Sequence, residues 1–258
     1  MADSAANLDA QICAQQDSIE AEIASTQPLV GDVEPWSNLE EEYTGNEAFQ
    51  AHIVSLGKSY GSLRRVRKDG NCFYRAFLFS YLEYLSKKPE ELATFRKLVS
   101  DLAESMVRDG GYQSYIIQDM HEPFDEVLAS LNNPDFSLQE ALNEVNYSNY
   151  YIAFLRVIVS YQLQKEEEFF QNFIVLGEDA VSIRDFCSKE VEPMAKESDN
   201  IQLIGLARAF YVCFRVESCD PRSQWQQLFA PESDQEQIPV LTLLFKPGHY
   251  DIIYSKQQ

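Results

Sequence analysis

The sequence is short of histidine and of basic residues, and it contains no long apolar run. Among its 258 residues are three histidines, and 21 lysines and arginines face 41 aspartates and glutamates, for a formal net charge of −20 at pH 7. Without a run of about 18 apolar residues we expect no membrane span, and the start lacks the basic and apolar parts of a secretory signal. The negative charge repels nucleic acid and anionic membranes, so we expect neither as a partner. Attraction to a basic protein surface and solubility alone explain this charge equally well.

Cysteine is also scarce, and its few positions are scattered. The five cysteines are Cys13, Cys72, Cys187, Cys213 and Cys219. An odd number without Cys-x-x-Cys or histidine spacing indicates neither a disulfide framework nor a zinc site, so we expect no metal or other cofactor. Such usage is typical of a reducing compartment, and we expect a protein of the cytoplasm, or of cytoplasm and nucleus.

One cysteine lies where a glycine-bearing loop runs into an apolar segment. Residues 73–85 are apolar on nearly all sides, which predicts a central buried helix with Cys72 at its N-terminus. The unpaired N–H groups and the dipole of a helix start favour an anion, so we expect the Cys72 thiolate to form more readily than that of a free cysteine. The alternative is an inert, small core residue.

The loop before Cys72 has the composition of an oxyanion site. Gly70 can adopt a positive φ and lets the chain turn sharply, so the amides of Asp69, Gly70, Asn71 and Cys72 can converge on one point. The Asp69 side chain can shape this loop by bonding to backbone N–H groups. The basic run 64–68 just upstream either stabilises a thiolate or balances nearby acids at the surface.

With three histidines, the search for a general base is short. His249 follows Pro247-Gly248, where a strand, a type II turn and a second strand are predicted. Residues two apart in a strand share a face, so Asp251 can accept from one nitrogen of His249 and direct the other towards a thiol. The alternative is a surface His and Asp flanking a hairpin. His52 and His121 have no comparable partner and are interpreted as ordinary helix or loop residues.

The segments 69–76 and 247–251 together resemble the two signature blocks of the ovarian-tumour (OTU) cysteine proteases, most closely the otubain subgroup of deubiquitinases. The segment 191–199 and the acidic N-terminal arm extend the resemblance over nearly the whole chain. It implies a papain-like α+β fold, with a small, mostly antiparallel sheet cradled by helices. The order of elements, with helices early and strands late, favours the same fold class.

The resemblance also implies a mechanism and partners. Cys72 would attack the carbonyl at the ubiquitin C-terminus, His249 would act as base and acid, Asp251 would orient the imidazole, and Asp69 would shape the oxyanion loop. We expect a monomer that binds ubiquitin and polyubiquitin, with a preference for the degradation-signal linkage, and that also binds ubiquitin-conjugating enzymes. A non-catalytic regulator that restrains those enzymes is the alternative function, and a protease for ordinary peptides is a third.

Residues 1–45 are expected to form an N-terminal helical arm and linker, and residues 46–258 the catalytic domain. A narrow apolar stripe on the arm predicts a helix that packs on its own body or docks on another chain. The stripe consists of Leu8, Ile12, Ile19 and Ile23. The segment 31–42 is interpreted as an unfolded lead-in.

Elsewhere the periodicity predicts helices within 46–60, ending at Gly57, through 89–163, and within 179–189 and 200–210. A strand is predicted over 211–217 from its aromatic and β-branched residues. The acidic, glutamine-rich segment 223–237 is interpreted as an exposed loop before the last hairpin.

Overall fold

The computed structural model describes residues 22–174, 182–223, 225–232 and 237–256. These residues form an α+β fold around one six-stranded sheet with the order β1-β2-β6-β5-β3-β4. Neighbouring strands are antiparallel except for β3 and β5, which are parallel. The strands are β1 Val30–Pro35, β2 Tyr60–Val66, β3 Phe214–Ser218, β4 Gln226–Phe229, β5 Thr242–Lys246 and β6 His249–Ser255. This arrangement confirms the predicted fold class.

The helices of the described residues fall into two short early ones, a group of long ones and a few short late ones. They are α1 Trp36–Glu42, α2 Glu47–Leu56, α3 Cys72–Leu85, α4 Pro89–Arg108, α5 Ser114–Ser130, α6 Leu138–Asn143, α7 Val145–Lys165, α8 Glu167–Phe170, α9 Ile183–Phe186 and α10 Asn200–Phe210. A π-helical turn, Cys187–Val191, continues α9. In the part of the chain described here, no helix is long and apolar enough to cross a membrane.

Helix α3 is the central element, and nearly every one of its residues is buried, as the sequence predicts. It packs against the face of β6 that carries Tyr250 and Ile252, and the Phe73 and Tyr250 rings lie 5.4 Å apart. Ile253 points to the opposite face, where it joins a second apolar cluster with Trp36 of α1. The sheet is therefore covered on both faces, and the start of β6 lies beside the N-terminus of α3.

The interpretation of residues 31–42 as an unfolded lead-in is wrong. They form most of β1, which pairs with β2, and then α1, whose Trp36 and Leu39 are buried. The Trp36 indole N–H donates to the carbonyl of Ile53 at 3.0 Å. The sheet therefore begins before residue 46, and the predicted domain boundary divides two paired strands. Of the predicted arm stripe, Leu8, Ile12 and Ile19 lie outside the described residues, whereas Ile23 lies in a half-buried helical turn.

Two further strands differ from the sequence interpretation. Strand β2 contains part of the basic run and buries every third residue, so it lacks the alternation that identifies a strand. Strand β4 lies within the predicted loop 223–237, where exposed glutamines mask an edge strand paired with β3. Strands are consequently not confined to the end of the chain. The predicted helices over 46–60, 89–163 and 200–210 are confirmed, while part of 179–189 lies outside the described residues.

Candidate active site

Cys72 is the first residue of α3 and is 5% exposed. Burial raises the pKa of its thiol to about 11, although the backbone N–H of Tyr250 favours the thiolate. This is the reverse of the easier ionisation expected from the helix start, because desolvation of the sulfur outweighs the N–H groups. In this structure Cys72 is a neutral thiol at neutral pH, and its reaction as a nucleophile requires a base.

The candidate base, His249, directly precedes Tyr250, whose backbone N–H favours the Cys72 thiolate. His249 opens β6 directly after Gly248, whose φ of +70° is the value that the second central residue of a type II turn requires. Its Nε2 lies 3.0 Å from Oδ1 of Asp251, as predicted from the two-residue spacing. Its Nδ1 is buried and has no hydrogen-bond partner among the described residues. A nitrogen in this state can accept a proton from a thiol.

Asp251 is 0% exposed, so its charge must be compensated within the protein. Its Oδ1 accepts from His249 and from the backbone N–H of Val66 at 2.9 Å. Burial alone would raise the pKa of Asp251, but the bond from His249 and the nearby Lys246 ammonium hold that pKa at about 2. Asp251 is therefore a carboxylate throughout the physiological pH range, the form that accepts from an imidazole N–H.

The loop before Cys72 has the sharp turn that its glycine predicts. Gly70 has a φ of +72° and lies so close to the carbonyl of Ala195 that an added Cβ would come within 2.3 Å of that oxygen. Asp69 Oδ1 accepts from the Asn71 backbone N–H at 2.9 Å, the side-chain bond expected from the sequence. Asp69 Oδ2 in turn accepts from Arg75 at 2.7 Å.

A buried arginine that the sequence analysis missed fixes this loop from behind. Arg156 of α7 is 0% exposed. Its guanidinium donates to the carbonyl of Gly70 at 3.0 Å and to Asn71 Oδ1 at 2.9 Å. It also donates to the carbonyls of Val191 and Lys196 at 3.0 and 2.7 Å. One side chain thereby joins the loop to the segment 191–196, and the apolar helical pattern around it gave no signal of this contact.

The basic run balances acids and does not surround the thiol. Arg65 pairs with Glu34 and Glu42, and its Nη1 lies 3.7 Å from Asp251 Oδ2. Arg64 lies near Glu83 at 3.7 Å and donates to the Tyr254 hydroxyl. Of the two interpretations of this run, the geometry favours charge balance, with one arginine reaching the Asp251 carboxylate.

A cleft of about 700 Å³ opens beside His249 and Asp251. Its walls come from β1, α1, β2 and the hairpin that joins β5 to β6, and they carry acids, including Glu34 and Glu42, as well as the cations Arg65 and Lys246. The strand that the sequence analysis took for a lead-in thus forms a wall of the candidate site.

The remaining described cysteines and His52 do not line this cleft. Cys187, Cys213 and Cys219 are buried, and burial raises the pKa of each thiol. His52 lies 2.9 Å from the carbonyl of Ser218. Across the residues described, no group of three or more His, Cys, Asp or Glu side chains is placed to hold a metal ion.

A cysteine at the tip of the central helix and a buried His–Asp pair on the adjoining strand are the arrangement expected of a cysteine peptidase. Residues 22–255 match the family model described as Peptidase C65 Otubain. The chain belongs to the otubain family, whose class is the cysteine-type deubiquitinases, and the predicted resemblance is confirmed.

Individual relatives extend this similarity over almost the whole chain. Ubiquitin thioesterase OTUB1 of Homo sapiens is 38% identical over 252 residues, which cover 96% of this chain and 90% of that protein. The OVARIAN TUMOR DOMAIN-containing deubiquitinating enzyme 1 of Arabidopsis thaliana is 34% identical over 93% of this chain and 85% of that protein. A solved structure of h/ceOTUB1 with ubiquitin aldehyde and UBC13~Ub matches with a TM-score of 0.89 and 32% identity, over 96% of this chain and 99% of that one.

Proposed function

We propose that the protein cleaves isopeptide bonds at the C-terminus of ubiquitin, using Cys72, His249 and Asp251 as a catalytic triad. The observation that carries this proposal is the buried His249–Asp251 pair, whose second ring nitrogen is unpaired among the described residues. His249 also directly precedes Tyr250, whose backbone N–H favours the Cys72 thiolate. A pair of this kind can activate a thiol only if the imidazole is held with one nitrogen free. Membership of the otubain family supports the same assignment.

The reaction proceeds in two halves around one covalent thioester, and in each half His249 accepts one proton and then gives it up, in the second half to the Cys72 sulfur. His249 Nδ1 accepts the Cys72 proton as the sulfur attacks the carbonyl, and the imidazolium is stabilised by the Asp251 carboxylate. Backbone amides of the Asp69 to Cys72 loop stabilise the oxyanion. The imidazolium then protonates the departing lysine amine, which leaves a thioester. Water attacks this thioester with His249 again as base, and the free carboxylate and the thiol are regenerated.

We infer that the substrate is polyubiquitin, with preference for the linkage that serves as the degradation signal. Several relatives carry the name ubiquitin thioesterase, which supports ubiquitin as the substrate class. The net charge of −20 suits a partner with a basic surface.

The second candidate function is binding and restraint of ubiquitin-conjugating enzymes without chemistry. The observation that favours it is the similarity to a solved structure of h/ceOTUB1 with ubiquitin aldehyde and UBC13~Ub. Because both functions can be present in one chain, each needs its own variant in the test.

The decisive experiment is gel analysis of the full set of di-ubiquitin linkages with four proteins: the wild type, two point variants and one N-terminal deletion. We expect cleavage by the wild type, none by Cys72→Ser, and wild-type cleavage by the control Cys213→Ser, which alters another buried cysteine. The fourth version lacks residues 1–21 and keeps β1 and α1, so it tests the arm while every described strand stays in place. Cleavage by Cys72→Ser, or none by a folded wild type, would refute the catalytic proposal.

The same variants also test the second candidate function, the restraint of ubiquitin-conjugating enzymes. Restraint of a ubiquitin-conjugating enzyme that persists in Cys72→Ser and disappears when residues 1–21 are deleted would support the second function. Restraint that requires an intact Cys72 would contradict it.

A further inference from the structure

Two cations surround the oxygen of Asp251 that does not face His249. Lys246 of β5 pairs with His249 across the sheet, so its side chain lies on the same face as Asp251. Its Nζ is 3.1 Å from Asp251 Oδ2. On the other side of β6, Arg65 of β2 places Nη1 3.7 Å from the same oxygen. The carboxylate therefore lies between ammonium and guanidinium groups from both neighbouring strands.

An acidic residue of α1 holds these two cations together. Glu42 Oε2 is 2.8 Å from Arg65 Nη1, and its other oxygen is 3.6 Å from Lys246 Nζ. The Lys246 side chain is only 12% exposed, so its attraction to the carboxylate is weakly screened by solvent. Other titratable groups near Asp251 are His249 on its own strand and the thiols of Cys72 and Cys219.

The two carboxylate oxygens of Asp251 have different partners. Oδ1 is occupied by His249 and by the Val66 N–H, whereas Oδ2 faces Lys246 and Arg65. Oδ2 accepts no hydrogen bond from the described residues, so the two cations act on it by charge, and they add to the bonds at Oδ1 in keeping Oδ1 directed at His249 Nε2. Without the cations, only the two hydrogen bonds at Oδ1 would hold the carboxylate, and the orientation of the imidazole would be less fixed.

We propose that Lys246 and Arg65 form a cationic clamp that positions His249 through Asp251. Both are positioning residues, since neither touches the reacting atoms. The clamp also connects the site to α1 through Glu42, and it thereby makes the segment before residue 46 part of the machinery that orients the imidazole. The expected change in kcat rests on the proposed function, whereas the expected change in the orientation of the His249 imidazole does not.

The test compares Lys246→Gln and Arg65→Gln with the charge-retaining Lys246→Arg, and with Lys97→Gln as a control that removes one exposed cation far from the cleft. The first readout is independent of activity. In a Cys72→Ser background, proton NMR follows the low-field resonance of the His249 Nε2–H, assigned by its absence in His249→Gln. We expect this resonance to be sharp in the parent, Lys246→Arg and Lys97→Gln, and lost or broadened in the two clamp variants.

The second readout is hydrolysis of a fluorogenic ubiquitin C-terminal amide by chains with intact Cys72. Loss of either cation should lower kcat by about 10-fold while KM stays within about 2-fold, since substrate contacts are unchanged. Lys246→Arg should recover most of kcat. If Lys246→Gln fails to fold, the more exposed Arg65→Gln carries the test alone.

Different outcomes refute different claims. A folded clamp variant that keeps both the resonance and kcat would overturn the clamp, as would an equal loss in Lys97→Gln. If the wild type cleaves nothing, the proposed function fails, and the resonance still decides whether the clamp exists.

Discussion

Arg156 shows how much of the candidate site depends on one side chain. Its guanidinium donates hydrogen bonds to carbonyls of two segments that are far apart in sequence. No shorter or less branched side chain can reach all of these carbonyls. The cost of replacing it comes from buried carbonyls left without a donor, not from the lost charge alone.

We therefore predict that Arg156→Lys lowers the free energy of unfolding by about 3 kcal/mol, because several buried acceptors lose their partners at about 1 kcal/mol or more each. The rate of ubiquitin cleavage should fall as well, since the loop at Gly70 and Asn71 loses its fixed position. Chemical denaturation measures the first effect and a fluorogenic ubiquitin amide the second. The control is Arg96→Lys, whose partner Asp125 lies at the surface; a loss of equal size there would contradict the assignment.

The lowered pKa of Asp251 predicts how the free energy of unfolding depends on pH. Its folded pKa of about 2 lies below the ordinary value of 3.8, so its ionisation stabilises the fold above about pH 4, and this contribution disappears as pH falls towards 2. The difference corresponds to about 2 kcal/mol. Asp251→Asn should lose at least this amount at pH 7, and the gap to the wild type should shrink between pH 4 and 2. Unfolding followed by urea at several pH values measures it; a gap independent of pH would contradict it.

At this scale, sequence reasoning found the residues whose chemistry is local. Cys72 lies at a loop-to-helix junction, and His249 and Asp251 share a strand face by spacing alone. Arg156 and Lys246 were missed because their contacts depend on how α7, β5 and the loops meet in space. The pKa of Cys72 was predicted in the wrong direction, because the helix start was visible in the sequence and the depth of burial was not.

Among the elements, the loop from Asp69 to Cys72 is the most constrained. Gly70 combines a positive φ with an approach to the Ala195 carbonyl that leaves no room for a methyl group. A matched site exists in Gly111, which has the same φ of +72° but nothing within 4 Å of an added Cβ.

We predict that Gly70→Ala greatly reduces cleavage and destabilises the fold by more than Gly111→Ala does. The latter should cost about 1 kcal/mol, because alanine is strained in a left-handed conformation, whereas the former adds displacement of the segment around Ala195. Thermal unfolding and cleavage rates of the two variants, measured side by side, test this. Equal effects in the two would show that the contact with Ala195 is unimportant.

The helices were predictable because they carry either a stripe of apolar residues at helical spacing, as in α4, or a long apolar run buried on nearly all sides, as in α3. The strands β1, β2 and β4 were not, since two lie at the edges of the sheet and β2 buries every third residue. Edge strands need not alternate, because only part of each face is covered.

For the whole molecule, the main correction is that the catalytic sheet begins at residue 30. A truncation designed from sequence, removing 1–45, would delete β1 and α1 and leave β2 as an uncovered edge. It would also remove Glu42 and the apolar cover supplied by Trp36 and Leu39.

We predict that deletion of 1–45 lowers the Tm by about 10 °C or more relative to deletion of 1–21, since several kcal/mol of apolar burial is lost. The shorter deletion is the control, because it leaves every described strand in place. Scanning calorimetry of the two chains gives the comparison. Equal Tm values would mean that β1 and α1 contribute nothing to the fold.

The central claim is that Cys72 is the thiol that attacks the ubiquitin C-terminus. The most direct test is to incubate the full chain with ubiquitin carrying a C-terminal electrophile and to locate the adduct by peptide mass spectrometry. We predict a single adduct on Cys72, absent in Cys72→Ser and unchanged in Cys213→Ser. An adduct on another cysteine, or none on a folded wild-type chain, would contradict it.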